Sequence, residues 1–186
     1  MAQTVSDNYT EIVALCEGKQ DEVFLRRFLI RSGVNRHRIR IRPYPGGRGS
    51  GKQFVQEVYA KEVVEHRKRA PMMNIALIAM QDCDDETVEA SRARLEGSAM
   101  RRPDERIALL FPRRNIETWI HFLNDNEVDE SNRYPKLQRE SDCHGVVDHL
   151  AAKHEYQISP TVPSFLRAAC EEIRRIFPAK RCVESG

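Results

Sequence analysis

Five carboxylates lie at the ends of apolar, strand-like segments of this 186-residue chain or about one helical turn beyond them: Glu17, Asp21, Asp82, Asp84 and Glu117. In an open α/β fold, the carboxyl ends of parallel strands form the edge at which ligands bind. Hard cations such as Mg²⁺ are held in proteins by one or two carboxylates together with substrate phosphates. The pattern therefore predicts a site for Mg²⁺, or Mn²⁺, and for phosphate chemistry.

The segment Asp82-Cys83-Asp84-Asp85 gives the strongest of these signals, because it follows the most continuous apolar run of the chain. Side chains at alternate positions of an extended segment point the same way, so Asp82 and Asp84 are placed to share one metal ion. The alternative is that Asp84 or Asp85 caps the helix that follows. Capping does not account for Asp82, which is still at the strand end.

Glu17 is a candidate metal ligand and a candidate general acid or base for phosphoryl transfer. The glycine after it, Gly18, lets the backbone turn tightly into a helix and lets a phosphate or metal approach closely. Asp21 and Glu117 are candidates to complete the metal site. The competing interpretation is that such acids lie in first turns of helices because the helix dipole favours negative charge there.

Basic residues are concentrated between Glu22 and Glu57, a span without any acidic residue. Arginine alternates with other residues over 36–42, which predicts a strand with four guanidinium groups on one face. Such a row favours contact with nucleic-acid phosphates, although charge also protects edge strands from aggregation. The candidate nucleic-acid-binding residues are Arg36, Arg38, Arg40, Arg42, Arg48, Lys52, Arg113 and Arg114.

A glycine-rich segment, residues 46–52, is similar to a phosphate-binding P-loop, with Gly46, four further residues and then Gly51-Lys52. Gln53 stands where that motif requires Ser or Thr for Mg²⁺. We therefore predict a phosphate-cradling or mobile loop rather than a nucleotide hydrolase. Lys52 is a candidate catalytic residue that stabilises a pentavalent phosphate.

Strand-like and helix-like segments alternate along the chain, which predicts an α/β fold with a mostly parallel sheet flanked by helices. The length favours one α/β domain over residues 8–125, followed by a loop and a small helical C-terminal extension, residues 126–186, packed on it. The predicted strands are 11–16, 36–42, 74–80 and 106–111, and the predicted helices are 19–32, 53–69, 84–96, 115–123, 143–154 and 163–177.

Composition points to a cytoplasmic protein without a membrane segment. The five cysteines are scattered and odd in number, which favours a reducing compartment over a disulfide framework. The first ten residues lack an apolar signal core, and no apolar run approaches the ~18 residues of a membrane span. The net charge of only +2 gives no general sign of nucleic-acid binding, so that prediction depends on the local basic span.

The order of these motifs resembles the TOPRIM domain, a Rossmann-like catalytic module shared by topoisomerases, bacterial primases, ribosomal-RNA maturases and OLD-family nucleases. In that family a glutamate closes the first strand, as Glu17 does here, and an Asp-x-Asp pair closes a later strand, as Asp82 and Asp84 do. The segment 111–119, with Glu117, is similar to the additional glutamate motif of small, standalone OLD-like proteins found with prokaryotic antiviral systems. The resemblance covers roughly residues 11–124.

This resemblance implies a Mg²⁺- or Mn²⁺-dependent nuclease acting on DNA or RNA, with an ATPase or another defence-system subunit as a partner. The chain departs from the topoisomerase and primase pattern at Asp85-Glu86-Thr87, and it has no ATPase domain of its own. The alternative is a catalytically inactive TOPRIM module that binds nucleic acid or a partner protein. A nucleotide-binding switch that uses the glycine-rich loop is a third hypothesis.

Overall fold

Four parallel strands form the sheet of this computed structural model, which describes residues 9–45, 50–129, 131–152 and 163–178. The strands are β1 (Glu11–Cys16), β2 (Ile39–Pro43), β3 (Ile75–Met80) and β4 (Ile107–Leu110). Their order across the sheet is β2-β1-β3-β4. The register pairs Leu15 of β1 with Ala79 of β3, and Ala79 with Leu109 of β4, so the strands end together at one edge.

Helices follow the strands in alternation, which confirms the α/β prediction. They are α1 (Lys19–Arg31), α2 (Gly51–Arg69), α3 (Val88–Ser98), α4 (Ile116–Leu123), α5 (His144–Ala152) and α6 (Ser164–Ile176). The fold is an open, Rossmann-like parallel sheet with helices on both faces, as expected when strands are buried on both sides.

The two faces of the sheet bury separate hydrophobic clusters because successive strand side chains point to opposite sides. On the first face, Ile12 and Ile78 pack with residues of α1, α4, α5 and α6, including Trp119. On the second face, Val13 and Leu77 pack with residues of α2 and α3. All six residues of β3 are buried, which explains why this segment is the most continuous apolar run.

The two C-terminal helices contribute to the first-face cluster, and α6 also covers the outer edge of β4. Glu172 of α6 is buried, and its carboxylate accepts a hydrogen bond from the main-chain N–H of Leu109 at 3.0 Å. Arg101 and Arg175 both donate to the main-chain oxygen of Ile107 at 3.0 Å. Arg101 also forms a salt bridge with Glu172. Side chains therefore satisfy two backbone groups of this edge strand, the N–H of Leu109 and the oxygen of Ile107.

The prediction of one strand over 36–42 is wrong, because Arg36–Arg38 form a 3-10 helix and β2 begins at Ile39. The side chain of Asn35 caps that turn by accepting a hydrogen bond from the N–H of His37 at 3.0 Å. Of the four predicted arginines, only Arg40 and Arg42 therefore lie on the strand. Arg48 and the other residues of 46–49 lie outside the described residues.

The helix predicted to begin at Asp84 begins instead at Val88. Asp84 has a φ of 53°, in the left-handed region, so a turn separates it from the helix. Thr87 caps α3, since its hydroxyl oxygen accepts a hydrogen bond from the N–H of Ala90 at 3.1 Å. Neither Asp84 nor Asp85 is the N-terminal cap of α3.

Candidate metal and phosphate site

The candidate site lies where the chain connections diverge across the sheet, between β1 and β3. The chain leaves β1 through α1 on the first face and leaves β3 through α3 on the second face. In an open α/β fold, such a divergence between neighbouring strands marks the crevice that binds ligands, at the carboxyl ends of the strands. Glu17 follows β1 and Asp82 lies just beyond β3. The main-chain N–H of Asp82 donates to Glu17 Oε2 at 3.0 Å, so these two predicted residues are in direct contact.

The first turns of α1 and α4 bring two further carboxylates to the same edge. Asp21 is buried in the first turn of α1, where its Oδ2 accepts a hydrogen bond from the N–H of Gly18 at 2.8 Å. Glu117 is 5% exposed in the first turn of α4. Asn115 is the residue before this helix, and its side-chain amide donates to the main-chain oxygen of Tyr134 instead of capping the helix.

Asp84 is the outermost of the predicted metal ligands, and both of its carboxylate oxygens are engaged. Lys52 Nζ lies 3.1 Å from Oδ2, and Arg133 Nη2 lies 2.8 Å from Oδ1. The expectation of an extended segment through Asp82 and Asp84 is wrong at Asp84, because of its left-handed backbone. That the two carboxylates share one metal ion stays a prediction.

Gly51 brings the first turn of α2 against the end of β1. A Cβ atom at Gly51 would lie 2.0 Å from the main-chain oxygen of Glu17, so only glycine allows this approach. Ser50 caps the helix by accepting a hydrogen bond from the N–H of Gln53 at 3.2 Å. The close approach positions Lys52 in the crevice, with only 18% of its side chain exposed.

Charge repulsion and burial act together on Asp82. Burial raises the pKa of its carboxyl group to about 9, and the charges of Asp21, Glu17, Asp84 and Glu117 add to the rise. Burial likewise raises the pKa of Asp21 to about 7, with Glu17 and Glu117 contributing. The five predicted carboxyl groups therefore interact as one group, and burial together with their mutual repulsion favours the protonated forms of Asp82 and Asp21.

The donor set suits a hard cation. Asp82 Oδ1 is a buried carboxylate oxygen without a hydrogen-bond partner in the described structure, and such an atom is costly unless a partner satisfies it. Carboxylate oxygens are the ligands that Mg²⁺ and Mn²⁺ prefer. Within the described ranges, however, no three His, Cys, Asp or Glu side chains are arranged so that they could hold a metal ion as they stand. Coordination requires movement of side chains such as Asp84.

The predicted phosphate-binding arginines near the start of β2 lie away from these carboxylates. Because β2 runs parallel to β1, its first residues are at the amino edge of the sheet. Arg38 donates to the main-chain oxygen of Tyr9 at 2.7 Å, and Arg40 Nη1 lies 3.5 Å from Glu11 Oε1. Arg36 precedes them in the 3-10 helix. Their binding to nucleic acid stays a prediction, but it concerns the opposite edge.

The remaining predicted cations are closer to the carboxyl edge. Arg42 forms a salt bridge of 2.7 Å with an acidic residue of α2. Arg113 donates to the main-chain oxygen of Glu86, and Arg114 pairs with Asp85. These contacts place the loop after β4 beside the loop after β3.

Sequence reasoning missed two cations, Arg133 and Lys136, in the polar segment after α4. Arg133 contacts Asp84 across 49 positions of the chain, and the charge of Lys136 lowers the pKa of Glu117 against the rise caused by burial. No local pattern marks either residue, since the segment has neither helical nor strand periodicity. Only the long-range packing of the segment on α4 identifies them.

A cavity with a volume of about 640 Å³ lies at the opposite, amino edge of the sheet. Its lining includes Arg67, Glu105 and Arg106, and Arg67 and Glu105 form a salt bridge with each other. Open parallel sheets bind ligands at their carboxyl edge, and the five interacting carboxyl groups are at that edge. We therefore assign the site by its chemistry rather than by cavity volume.

Comparison of the chain with protein-family models, with curated proteins and with solved structures gives no match. In the part of the chain that the structure describes, no helix has both the length and the apolar character needed to cross a membrane.

Proposed function

We propose that this protein is a divalent-metal-dependent nuclease that hydrolyses phosphodiester bonds of DNA or RNA, and that it is a TOPRIM-like enzyme of the small OLD-like type. The observation that carries the proposal is that five carboxyl groups from α1, α4 and the ends of β1 and β3 interact at one edge of the sheet, where one buried oxygen of Asp82 has no hydrogen-bond partner in the described structure. Such strongly perturbed carboxyl groups at the ligand-binding edge of a sheet are typical of functional sites.

In this proposal Glu17, Asp82 and Asp84 hold Mg²⁺ or Mn²⁺, and Asp21 and Glu117 complete the group. A bound divalent cation supplies an activated water molecule and neutralises charge on the phosphate. Lys52 orients the scissile phosphate and stabilises its developing negative charge, because its ammonium group lies 3.1 Å from Asp84 at the inner end of the crevice.

The proposed partners are the nucleic-acid substrate and an ATPase or other defence-system subunit, and the proposed location is the cytoplasm. The protein partner and the location extend from the TOPRIM resemblance and from cysteine usage. Cys16, Cys83, Cys143 and Cys170 are free, in agreement with a reducing compartment.

The experiment is cleavage of supercoiled plasmid, linear DNA and structured RNA with EDTA, Mg²⁺ or Mn²⁺. We expect cleavage that requires the metal and is abolished by Asp82→Ala, while nucleic-acid binding is nearly unchanged. Asp104→Ala is the matched control, since Asp104 is exposed at the opposite edge of the sheet. Full activity of Asp82→Ala would refute the assignment of the site.

A second function, binding of nucleic acid or a partner protein without cleavage, is favoured by one observation. Both oxygens of Asp84 are already paired, with Lys52 and Arg133, so the site has a stable arrangement without a metal ion. Metal-independent binding together with no cleavage of any of the three substrates would establish this function instead.

A further inference from the structure

Arg133 lies on the outer side of the candidate site, opposite Lys52. The two cations bind different oxygens of Asp84, Lys52 Nζ at 3.1 Å and Arg133 Nη2 at 2.8 Å. Their exposure differs sharply, because 18% of the Lys52 side chain and 65% of the Arg133 side chain are accessible. Asp84 is therefore held between an inner cation and an outer cation that faces solvent.

The residue after Arg133 anchors this position to α4. The main-chain oxygen of Tyr134 accepts a hydrogen bond from the side-chain amide of Asn115 at 2.8 Å, and its ring stacks on His121 with centroids 4.4 Å apart. Its hydroxyl accepts a hydrogen bond from the N–H of Asp129 at 2.8 Å. Because α4 also carries Glu117, the same helix positions a carboxylate of the site and the backbone next to Arg133.

The positive charge of Arg133 reaches carboxylates on several elements. Burial raises the pKa of Glu17 and of Glu117, and the charge of Arg133 opposes the rise at both. Arg133 thus interacts with the carboxylates after β1, after β3 and in α4. A guanidinium in this position faces whatever anion occupies the crevice.

Building on the proposed nuclease function, we propose that Arg133 is a substrate-binding residue that holds a phosphate of the nucleic acid beside the scissile one. Its salt bridge with Asp84 belongs to the substrate-free protein. A metal ion bound to Asp84 competes with that salt bridge and frees the guanidinium, whose planar fork suits bidentate contact with phosphate. Lys52, which is held deeper, acts on the scissile phosphate.

The test compares Arg133→Ala with Arg139→Ala, an exposed arginine of the same segment whose side chain pairs only with nearby Asp142 in the described structure. Calorimetric titration with Mn²⁺ alone measures metal affinity. Cleavage of a labelled oligonucleotide, of the class that the wild type cuts, measures KM and kcat over a salt series. Arg133→Lys is added because it retains the charge without the planar fork.

For Arg133→Ala we expect a KM raised about 10- to 100-fold, the range for loss of a hydrogen bond to a charged group, with little change in kcat. The slope of log affinity against log salt becomes shallower by about 0.7–0.9, the value for one phosphate contact. Affinity for Mn²⁺ stays the same or increases, since a competitor for Asp84 is gone. Arg133→Lys keeps the wild-type slope, and Arg139→Ala behaves like the wild type.

A failure of the role proposed for Arg133 and a failure of the nuclease proposal give different results. A wild type that cleaves, with Arg133→Ala unchanged in KM and salt slope, overturns the role of Arg133 and leaves the nuclease proposal standing. Loss of Mn²⁺ affinity in Arg133→Ala also overturns it, because the residue then supports the metal site rather than the substrate. A wild type that neither binds Mn²⁺ nor cleaves overturns the nuclease proposal itself, and this inference with it.

Discussion

Replacing Asp82 with asparagine tests the electrostatics of the site directly, without any substrate. Burial and neighbouring carboxylates raise the pKa of Asp82 to about 9 in the folded protein, whereas a carboxyl group in an unfolded chain titrates near ~3.9. Because folding raises this pKa, the carboxyl group destabilises the folded protein least below the pKa of the unfolded state. The free energy of unfolding then falls as pH rises toward the pKa of the folded state. The metal-free protein should therefore become less stable across this range.

The size of this loss of stability follows from the pH interval between the unfolded-state and folded-state pKa values. Each pH unit between the two pKa values costs ~1.4 kcal/mol, so the interval from about pH 5 to about pH 8 amounts to ~4 kcal/mol in the free energy of unfolding. The asparagine variant has no carboxyl proton to lose, so its unfolding free energy should change by ~4 kcal/mol less over the same interval. Its stability should exceed that of the wild type at the higher pH.

Urea denaturation in EDTA at the two pH values provides the measurement, with Asp104→Asn as a control at an exposed position on the opposite edge. A matching pH dependence in the wild type and in Asp82→Asn would show that the carboxylate is not strained by its surroundings. That result would remove the electrostatic reason for placing a cation there. Saturating Mn²⁺ should stabilise the wild type at the higher pH and leave the variant much less affected, since bound ligand stabilises only the state that binds it.

Two further substitutions test the packing that positions the site. Glu172→Gln should lower the free energy of unfolding by about 1.5–3 kcal/mol, because it removes a charged acceptor from the buried guanidinium of Arg101 and leaves it paired with Glu96 alone. Urea denaturation beside the exposed Glu171→Gln checks this, and equal stabilities would contradict it. Gly51→Ala should destabilise by about 1–3 kcal/mol through a clash with the backbone of Glu17. Gly97→Ala is the control in α3, because nothing lies within 4 Å of the added Cβ atom, and it should stabilise the protein by up to about 1 kcal/mol. Thermal melts in which Gly51→Ala and Gly97→Ala shift the melting temperature in the same direction would refute the argument.

The parts of the fold that the sequence predicts well are those that burial alone determines. The apolar run at 75–80 is buried along its whole length, and the strand and its position follow from that fact. The acids after each strand could be assigned to one edge because parallel strands end together.

The errors arise where a local contact overrides a pattern. Alternation over 36–42 indicates a strand, but the side chain of Asn35 favours a turn over the first three residues. Asp84 adopts a left-handed conformation that an acidic residue tolerates and that no periodicity reveals. The position of Arg133 depends on packing between segments distant in sequence, so it could be found only in three dimensions.

The coverage of β4 by α6 makes the two edges of the sheet unequal, and this affects how copies of the protein can join. Two main-chain groups of β4, in Ile107 and Leu109, are taken by Glu172, Arg101 and Arg175, whereas the outer edge of β2 pairs with no strand in the described ranges. In the part of the chain that the structure describes, each molecule thus offers one edge for strand addition. Two copies joined through that edge would leave none for a third, so an assembly of this kind closes as a dimer and does not grow into a fibre.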